Sequence, residues 1–174
     1  MEPSLRLLDQ YFAEFPADDM FHVGAALQKA QCLEALGRID EAEQSYLAAL
    51  AEQRGISNYV TSVYTDFPWF VVRYGRRHLY SDALAALEST AQHLIFPVLQ
   101  YQAYAVRAVI AAEAGDFDAA QRHASRAVKA ASATHSGWLY HPDLGLWRNL
   151  DPLIHERVMR LANMPLQPAS GAEE

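Results

Sequence analysis

The sequence has little of what secreted and membrane-spanning proteins require. Among its 174 residues only Cys32 is a cysteine, so no internal disulfide can form and nothing indicates an oxidising compartment. The longest apolar runs, at 67–72 and 94–99, are far shorter than the roughly 20 residues of a membrane span. The first twelve residues lack the basic and apolar regions of a signal peptide. We therefore expect a cytoplasmic protein without a membrane partner.

Positive charge is scarce. Fourteen Lys and Arg residues, of which only Lys29 and Lys129 are lysines, oppose 21 Asp and Glu, which gives a net charge of -7. Residues 1–60 account for -6 of this, with ten acidic and four basic residues. Such a charge disfavours binding to phosphate backbones and suits a basic protein partner, although solubility alone also explains it. We expect no nucleic-acid partner. The abundance of alanine and arginine is typical of GC-rich bacterial coding.

Long alternation of polar and apolar residues is absent, which argues against β-strands. Ala, Leu, Arg, Gln and Glu are frequent instead, and apolar residues recur at spacings of three and four. The sequence therefore predicts an all-α fold.

Three stretches, 37–50, 78–91 and 115–128, share a polar turn, an aspartate near a helix start and an alanine at one position. These alanines are Ala42, Ala83 and Ala120, spaced by 41 and 37 residues. Each stretch follows an apolar helical run. The pattern predicts a helix–turn–helix unit that occurs three times.

These units resemble the tetratricopeptide repeat family, whose second helix opens with Gly-Asp-x-x-x-Ala, followed by a large residue and a further alanine. The first and third units carry the pattern best, at Gly37, Ala42, Tyr46 and Ala49, and at Gly115, Ala120, Ala124 and Ala127. The resemblance implies a right-handed α–α superhelix with repeats at about 22–53, 59–94 and 97–134. We expect one domain over 1–164 and a flexible tail over 165–174.

Terminal helices are expected to cap this stack. Residues 4–15 place apolar side chains on one stripe, with Ser4 as the predicted N-cap and Pro16 as the stop. Residues 151–163 read as a second helix, with Asp151 as N-cap and Pro152 in the first helical position. Asp66 is predicted to cap the second repeat.

The segment 134–147 is the most unusual stretch, with two histidines, an aspartate, two glycines and three aromatic residues. We interpret it as a packed loop whose apolar side chains, from Trp138 to Trp147, fold over the end of the stack. The alternative is a small enzyme or a metal-binding protein that uses His135, His141 and Asp143. No HExxH, CxxC or GxSxG motif supports that alternative, and we expect no catalysis, metal or cofactor.

The family resemblance implies a concave surface that holds a peptide or a partner helix. Its positions correspond here to Leu27, Gln31, Glu34, Thr65, Val72, Arg76, Gln102, Val109 and Glu113. They lack a basic cluster for a carboxylate, so an amphipathic helix or an apolar extended segment is the expected ligand.

We therefore expect a protein-interaction module or scaffold. In architecture the chain also resembles chaperones of secreted translocators in type III secretion, and an immunity protein against a basic toxin is a further alternative. A homodimer through exposed aromatic residues stays open.

Overall fold

The computed structural model of the chain describes residues 1–15, 21–56, 60–146 and 150–165. Regular structure in these ranges is helical, and no strand occurs in them, which confirms the all-α prediction. None of the helices described is long and apolar enough to cross a membrane. Pro16, Trp147 and residues 166–174 of the predicted tail lie outside the described residues.

The chain divides into two compact units, Met1–Phe67 and Pro68–Glu174. The first contains α1 (Glu2–Glu14), α2 (His22–Ala35), α3 (Ile39–Arg54) and the start of α4 (Val63–Arg73). Helices α2 and α3 pack as a hairpin, and α1 packs against α2. The hairpin is tight because Ala30, Ala42 and Ala49 are fully buried, and small residues let helix axes approach closely.

The second unit holds the rest of α4, α5 (Tyr80–Ser89), α6 (Pro97–Glu113), α7 (Phe117–Ala131) and α8 (Pro152–Ala162). Short 3₁₀ turns at Arg77–Leu79 and Ala91–His93 flank α5. Helices α6 and α7 form a closely packed hairpin, and α8 lies against both. Ala108, Ala120, Ala124 and Ala127 are fully buried in this unit. The prediction of a single domain stays a prediction.

Helix ends follow local sequence signals in most places. Gly37 and Gly115 end α2 and α6 with φ of 75° and 83°, the left-handed conformation that glycine adopts at low cost. Asp116 caps α7, because its carboxylate accepts a hydrogen bond from the Ala119 N–H at 2.9 Å. Asp151 caps α8 through the N–H groups of Leu153 and Ile154, as predicted.

Two predicted caps are wrong. Helix α1 begins at Glu2, so Ser4 lies inside it; Pro3 favours the first helical turn and thereby moves the start upstream. Asp66 also lies within the first turn of α4, since the Asp66 N–H already bonds to the carbonyl of Ser62 at 2.8 Å. Both errors come from reading a polar residue as a boundary when a stronger helix signal precedes it.

Candidate functional site

The predicted concave residues of the first unit fall into buried and accessible sets. Leu27 and Thr65 lie in the core. Glu34 is half-buried and accepts a hydrogen bond from the hydroxyl of Tyr46 at 2.9 Å. Gln31 is exposed and donates to the carboxylate of Asp66 at 3.1 Å. Of these four positions, Gln31 is therefore the best placed to contact a partner.

The predicted residues of the second unit divide in the same way. Val72 and Val109 are buried, whereas Arg76, Gln102 and Glu113 are half-buried. Together with Leu27 and Thr65, the two valines offer no exposed side chain to a ligand. These four residues therefore lie on the parts of their helices that face the core.

Glu113 forms the centre of an ion-pair cluster. Its Oε2 lies 2.6 Å from Nε of Arg77, and its Oε1 accepts from Arg157 at 2.8 Å. Burial acts to raise the pKa of Glu113, but the hydrogen bonds from Arg157 and Tyr80 and the two arginine charges outweigh it and lower that pKa. Glu113 thus ties α8 and the turn before α5 to α6, which is a structural role.

The segment 134–146 forms a loop fastened at Ser136. The Ser136 hydroxyl donates to the carbonyl of His141 at 2.6 Å, and the Ser136 N–H donates to the carbonyl of Pro142 at 2.7 Å. These bonds join the two ends of the loop, which we call the loop neck. Residues 138–140 between these ends form the loop tip, which is exposed to solvent. Leu139 and Tyr140 at the tip are 81% and 87% exposed.

The prediction that the apolar residues of this loop fold over the end of the stack is therefore wrong for its tip. Trp138 is also about half exposed, although its ring stacks on Phe96 at a centroid distance of 6.0 Å. The loop returns to α6 at Gly145, whose carbonyl accepts from the Val98 N–H at 2.8 Å. Backbone and neck contacts, and not burial of the tip, hold this loop in place.

The three candidate metal or catalytic residues of the loop are exposed. Nδ1 of His135 accepts a hydrogen bond from the Gly137 N–H at 2.8 Å, while His141 and Asp143 contribute backbone groups to successive turns. In the described ranges, no group of three or more His, Cys, Asp or Glu residues is placed to hold a metal ion.

A groove of about 780 Å³ runs between α1 and α2 in the first unit. Its walls share an uncharged, mostly apolar character and come from Met1, Ser4, Leu7, Leu8, Tyr11, Phe21, Gly24, Ala25, Gln28, Gln31 and Cys32. Leu7 and Phe21 on these walls are 68% and 66% exposed. Helical spacing puts the α2 members on the face opposite the buried one, so a partner can reach this groove, which we call the α1–α2 groove.

A smaller hollow of about 270 Å³ in the same unit is flanked by polar contacts between side chains. Nδ1 of His22 lies 2.7 Å from the carboxylate of Glu52. Lys29 pairs with Asp9 at 2.6 Å and lies 5.5 Å from the ring centre of Phe12. These contacts fasten α1 and α3 to α2 and thereby position one wall of the α1–α2 groove.

A second groove, of about 470 Å³, lies in the second unit between the first half of α6, the last half of α7 and the loop neck. Arg126, Lys129 and His135 line it, and all three are exposed. Tyr104 lines it from α6, with the Arg126 guanidinium 5.5 Å from its ring centre. We call it the cationic groove.

Sequence reasoning did not identify either groove. The signals present were the second apolar flank of α1 at Leu7 and Tyr11, and the basic residues along one face of α7. Comparison of the chain with protein-family models, with curated proteins and with solved structures finds no match. Its function must therefore be inferred from its own residues.

Proposed function

We propose that this chain is a tetratricopeptide-like interaction module, without catalysis, that binds an amphipathic and basic segment of a partner protein in the α1–α2 groove. The observation that supports it best is the groove itself, an accessible apolar channel whose walls carry Leu7 and Phe21 at about two thirds exposure. Isolated exposed apolar residues are ordinary on a protein surface, but a contiguous apolar groove is typical of a binding site.

The repeat architecture is supported by the hairpins α2–α3 and α6–α7. Each has a glycine with positive φ in its turn and a fully buried alanine at the position that the family pattern requires. These are the features that let two helices cross closely and turn sharply. Repeat architectures of this kind commonly present a surface to a peptide or helix.

The nature of the occupant follows from shape and charge. Groove walls without charged residues suit the apolar face of a helix, which inserts side chains at positions i, i+3 and i+4. Residues 1–67 carry eleven acidic and four basic residues, so this part of the chain is acidic. A partner helix with basic residues on its polar face is therefore attracted to this unit. A single cysteine supports a reducing, cytoplasmic setting.

Gly24 provides the test. It lines the groove from α2, and a Cβ added there would meet no other atom within 4 Å. Gly24→Trp should therefore place an indole ring in the groove, attached through a Cβ that has room there. Gly24→Ala leaves the groove open and should stabilise the protein by about 0.4–1 kcal/mol, because alanine has less conformational freedom in the unfolded chain.

The experiment compares wild type, Gly24→Ala and Gly24→Trp in pull-downs from source-cell lysate read by mass spectrometry. Synthetic peptides that cover the sequence of the retained partner are then prepared, and the affinity of each peptide for the protein is measured by calorimetry. We expect wild type and Gly24→Ala to bind one basic, amphipathic peptide and Gly24→Trp to lose it at unchanged thermal stability. A partner that Gly24→Trp retains at full affinity would refute the groove as the binding site.

A further inference from the structure

The cations of the chain are unevenly neutralised. Within the described residues, Lys29, Arg38, Arg73, Arg77 and Arg157 each have a carboxylate oxygen within 3 Å. In contrast, Arg122, Arg126 and Lys129 of α7 form no ion pair in the described part of the chain, and they follow one another at spacings of four and three on one helix face. This face therefore retains its positive charge.

The surroundings of His123 show the same local excess of positive charge. Burial, and then the charges of Arg107, Arg126 and Arg122, lower the pKa of His123. Its ring stacks against Tyr104 at a centroid distance of 6.2 Å, on the same aromatic side chain that Arg126 covers. A carboxylate that approaches this surface would meet several uncompensated cations.

The groove also offers apolar contacts beside these charges. Ile95 and Pro97 line it with Tyr104, and Ile95 is about half exposed. The neck of the loop, Ser136 and Gly137, forms one end, and exposed Trp138 and Leu139 follow directly in the sequence. An extended peptide could thus place acidic residues against α7 and an apolar residue against α6.

We propose that the cationic groove binds an acidic, extended segment of a partner protein, whose carboxylates pair with Arg126 and Lys129. A protein segment fits better than a flat lipid surface because the cations line a concave groove between two helices. Charge-assisted hydrogen bonds from Arg and Lys to carboxylates supply the attraction, and Tyr104 and Ile95 supply the apolar contact. This surface is independent of the α1–α2 groove and does not rest on the function proposed for it.

The probe is a library of random 12-residue peptides displayed on phage. The full chain is the bait, and the library is first depleted on Arg126→Gln/Lys129→Gln, which removes peptides that bind elsewhere. The matched control is Arg6→Gln/Arg160→Gln, which removes two exposed cations that form no ion pair in the described ranges. All four residues are exposed, so the urea midpoint should be the same in both double variants and in wild type.

We expect the selected peptides to be enriched in Asp and Glu. They should bind Arg126→Gln/Lys129→Gln about 10-fold more weakly than wild type at 0.1 M salt, with Arg6→Gln/Arg160→Gln close to wild type. The difference should shrink at 1 M salt, where the Debye length falls from about 10 Å to about 3 Å.

Peptides without acidic enrichment, or an equal loss of binding in both double variants, would overturn the proposal. Sedimentation with vesicles of phosphatidylcholine and 30% phosphatidylserine tests the lipid alternative (roughly the anionic content that attracts basic surfaces). Vesicle binding that Arg126→Gln/Lys129→Gln abolishes, without any acidic peptide preference, would assign the groove to a membrane surface and also overturn the proposal.

Discussion

Gly145 is predicted to be the least replaceable glycine of the 134–146 loop. Its φ is +68°, and a Cβ added there would lie 2.6 Å from Cβ, Cγ and Cδ1 of Phe96. Gly145→Ala therefore incurs two costs. The left-handed backbone disfavours a side chain by about 1–2 kcal/mol, and the overlap with Phe96 adds about 1–3 kcal/mol. We expect a total loss of about 2–5 kcal/mol in the free energy of unfolding.

Gly137 is the matched control in the same loop. Its φ is +90°, but an added Cβ would meet no other atom within 4 Å. Gly137→Ala therefore carries only the backbone cost of about 1–2 kcal/mol. Urea denaturation followed by circular dichroism gives both values, and the difference between them measures the overlap with Phe96.

A double-mutant cycle with Phe96→Gly isolates that contact, because glycine removes the Cβ of Phe96 as well as its ring, whereas alanine would keep that Cβ. In the Phe96→Gly background the overlap is gone, so Gly145→Ala should cost no more than Gly137→Ala. Equal costs for the two glycine variants in the presence of Phe96 would refute the close approach. An excess cost for Gly145→Ala that persists in Phe96→Gly would show that another neighbour is responsible.

Three further outcomes are expected. Ala120→Leu, at a fully buried position, should cost about 1–3 kcal/mol in urea denaturation, whereas Ala85→Leu, at an exposed helix position, should cost almost nothing. Asp116→Ala should cost about 1 kcal/mol through loss of the α7 cap, and Asp116→Asn should restore most of it. Burial and neighbouring arginines lower the pKa of His123, so the imidazole binds a proton more tightly in the unfolded chain than in the folded one. The stability that neutral His123 contributes is therefore complete above about pH 6.5 and falls at lower pH. His123→Gln should flatten this part of a stability–pH curve measured by thermal melts.

The features that could be predicted from sequence are those that depend on near neighbours in the chain. A glycine at the end of an apolar run predicts a left-handed helix end, as at Gly37 and Gly115. Asp before Pro predicts a capped helix start, as at Asp151. The repeated alanine predicts close helix packing, and Ala42, for example, is fully buried. Such signals act within a few residues and need no knowledge of the rest of the fold.

The loop tip could not be predicted because its position depends on distant contacts. Trp138, Leu139 and Tyr140 are apolar enough to suggest burial, yet the bonds of Ser136 close the neck and direct Leu139 and Tyr140 outward. Hydrophobicity alone does not say whether a partner surface exists inside the same chain. An apolar residue left exposed by the fold therefore looks the same in the sequence as one buried by it.

The candidate binding residues also could not be identified from sequence alone, because several residues expected on the surface are buried. The family pattern placed Leu27, Thr65, Val72 and Val109 on a binding face, and all four are buried. The α1–α2 groove instead runs along Gly24, which the sequence shows only as a glycine within a helical pattern. A groove is a property of two helices together, so one helix periodicity cannot reveal it.

The net charge of the chain also does not indicate the charge of the ligand that each groove should bind. Residues 1–67 carry the whole charge of -7, since residues 68–174 hold ten acidic and ten basic residues. Within that neutral unit, Glu113 pairs with both Arg77 and Arg157, whereas Arg122, Arg126 and Lys129 of α7 form no ion pair among the described residues. The two grooves should therefore attract segments of opposite charge. Gly24→Trp blocks the α1–α2 groove, and Arg126→Gln/Lys129→Gln removes two positive charges from the cationic groove. A partner that binds both grooves should therefore lose affinity with either change. Two separate partners would each respond to only one.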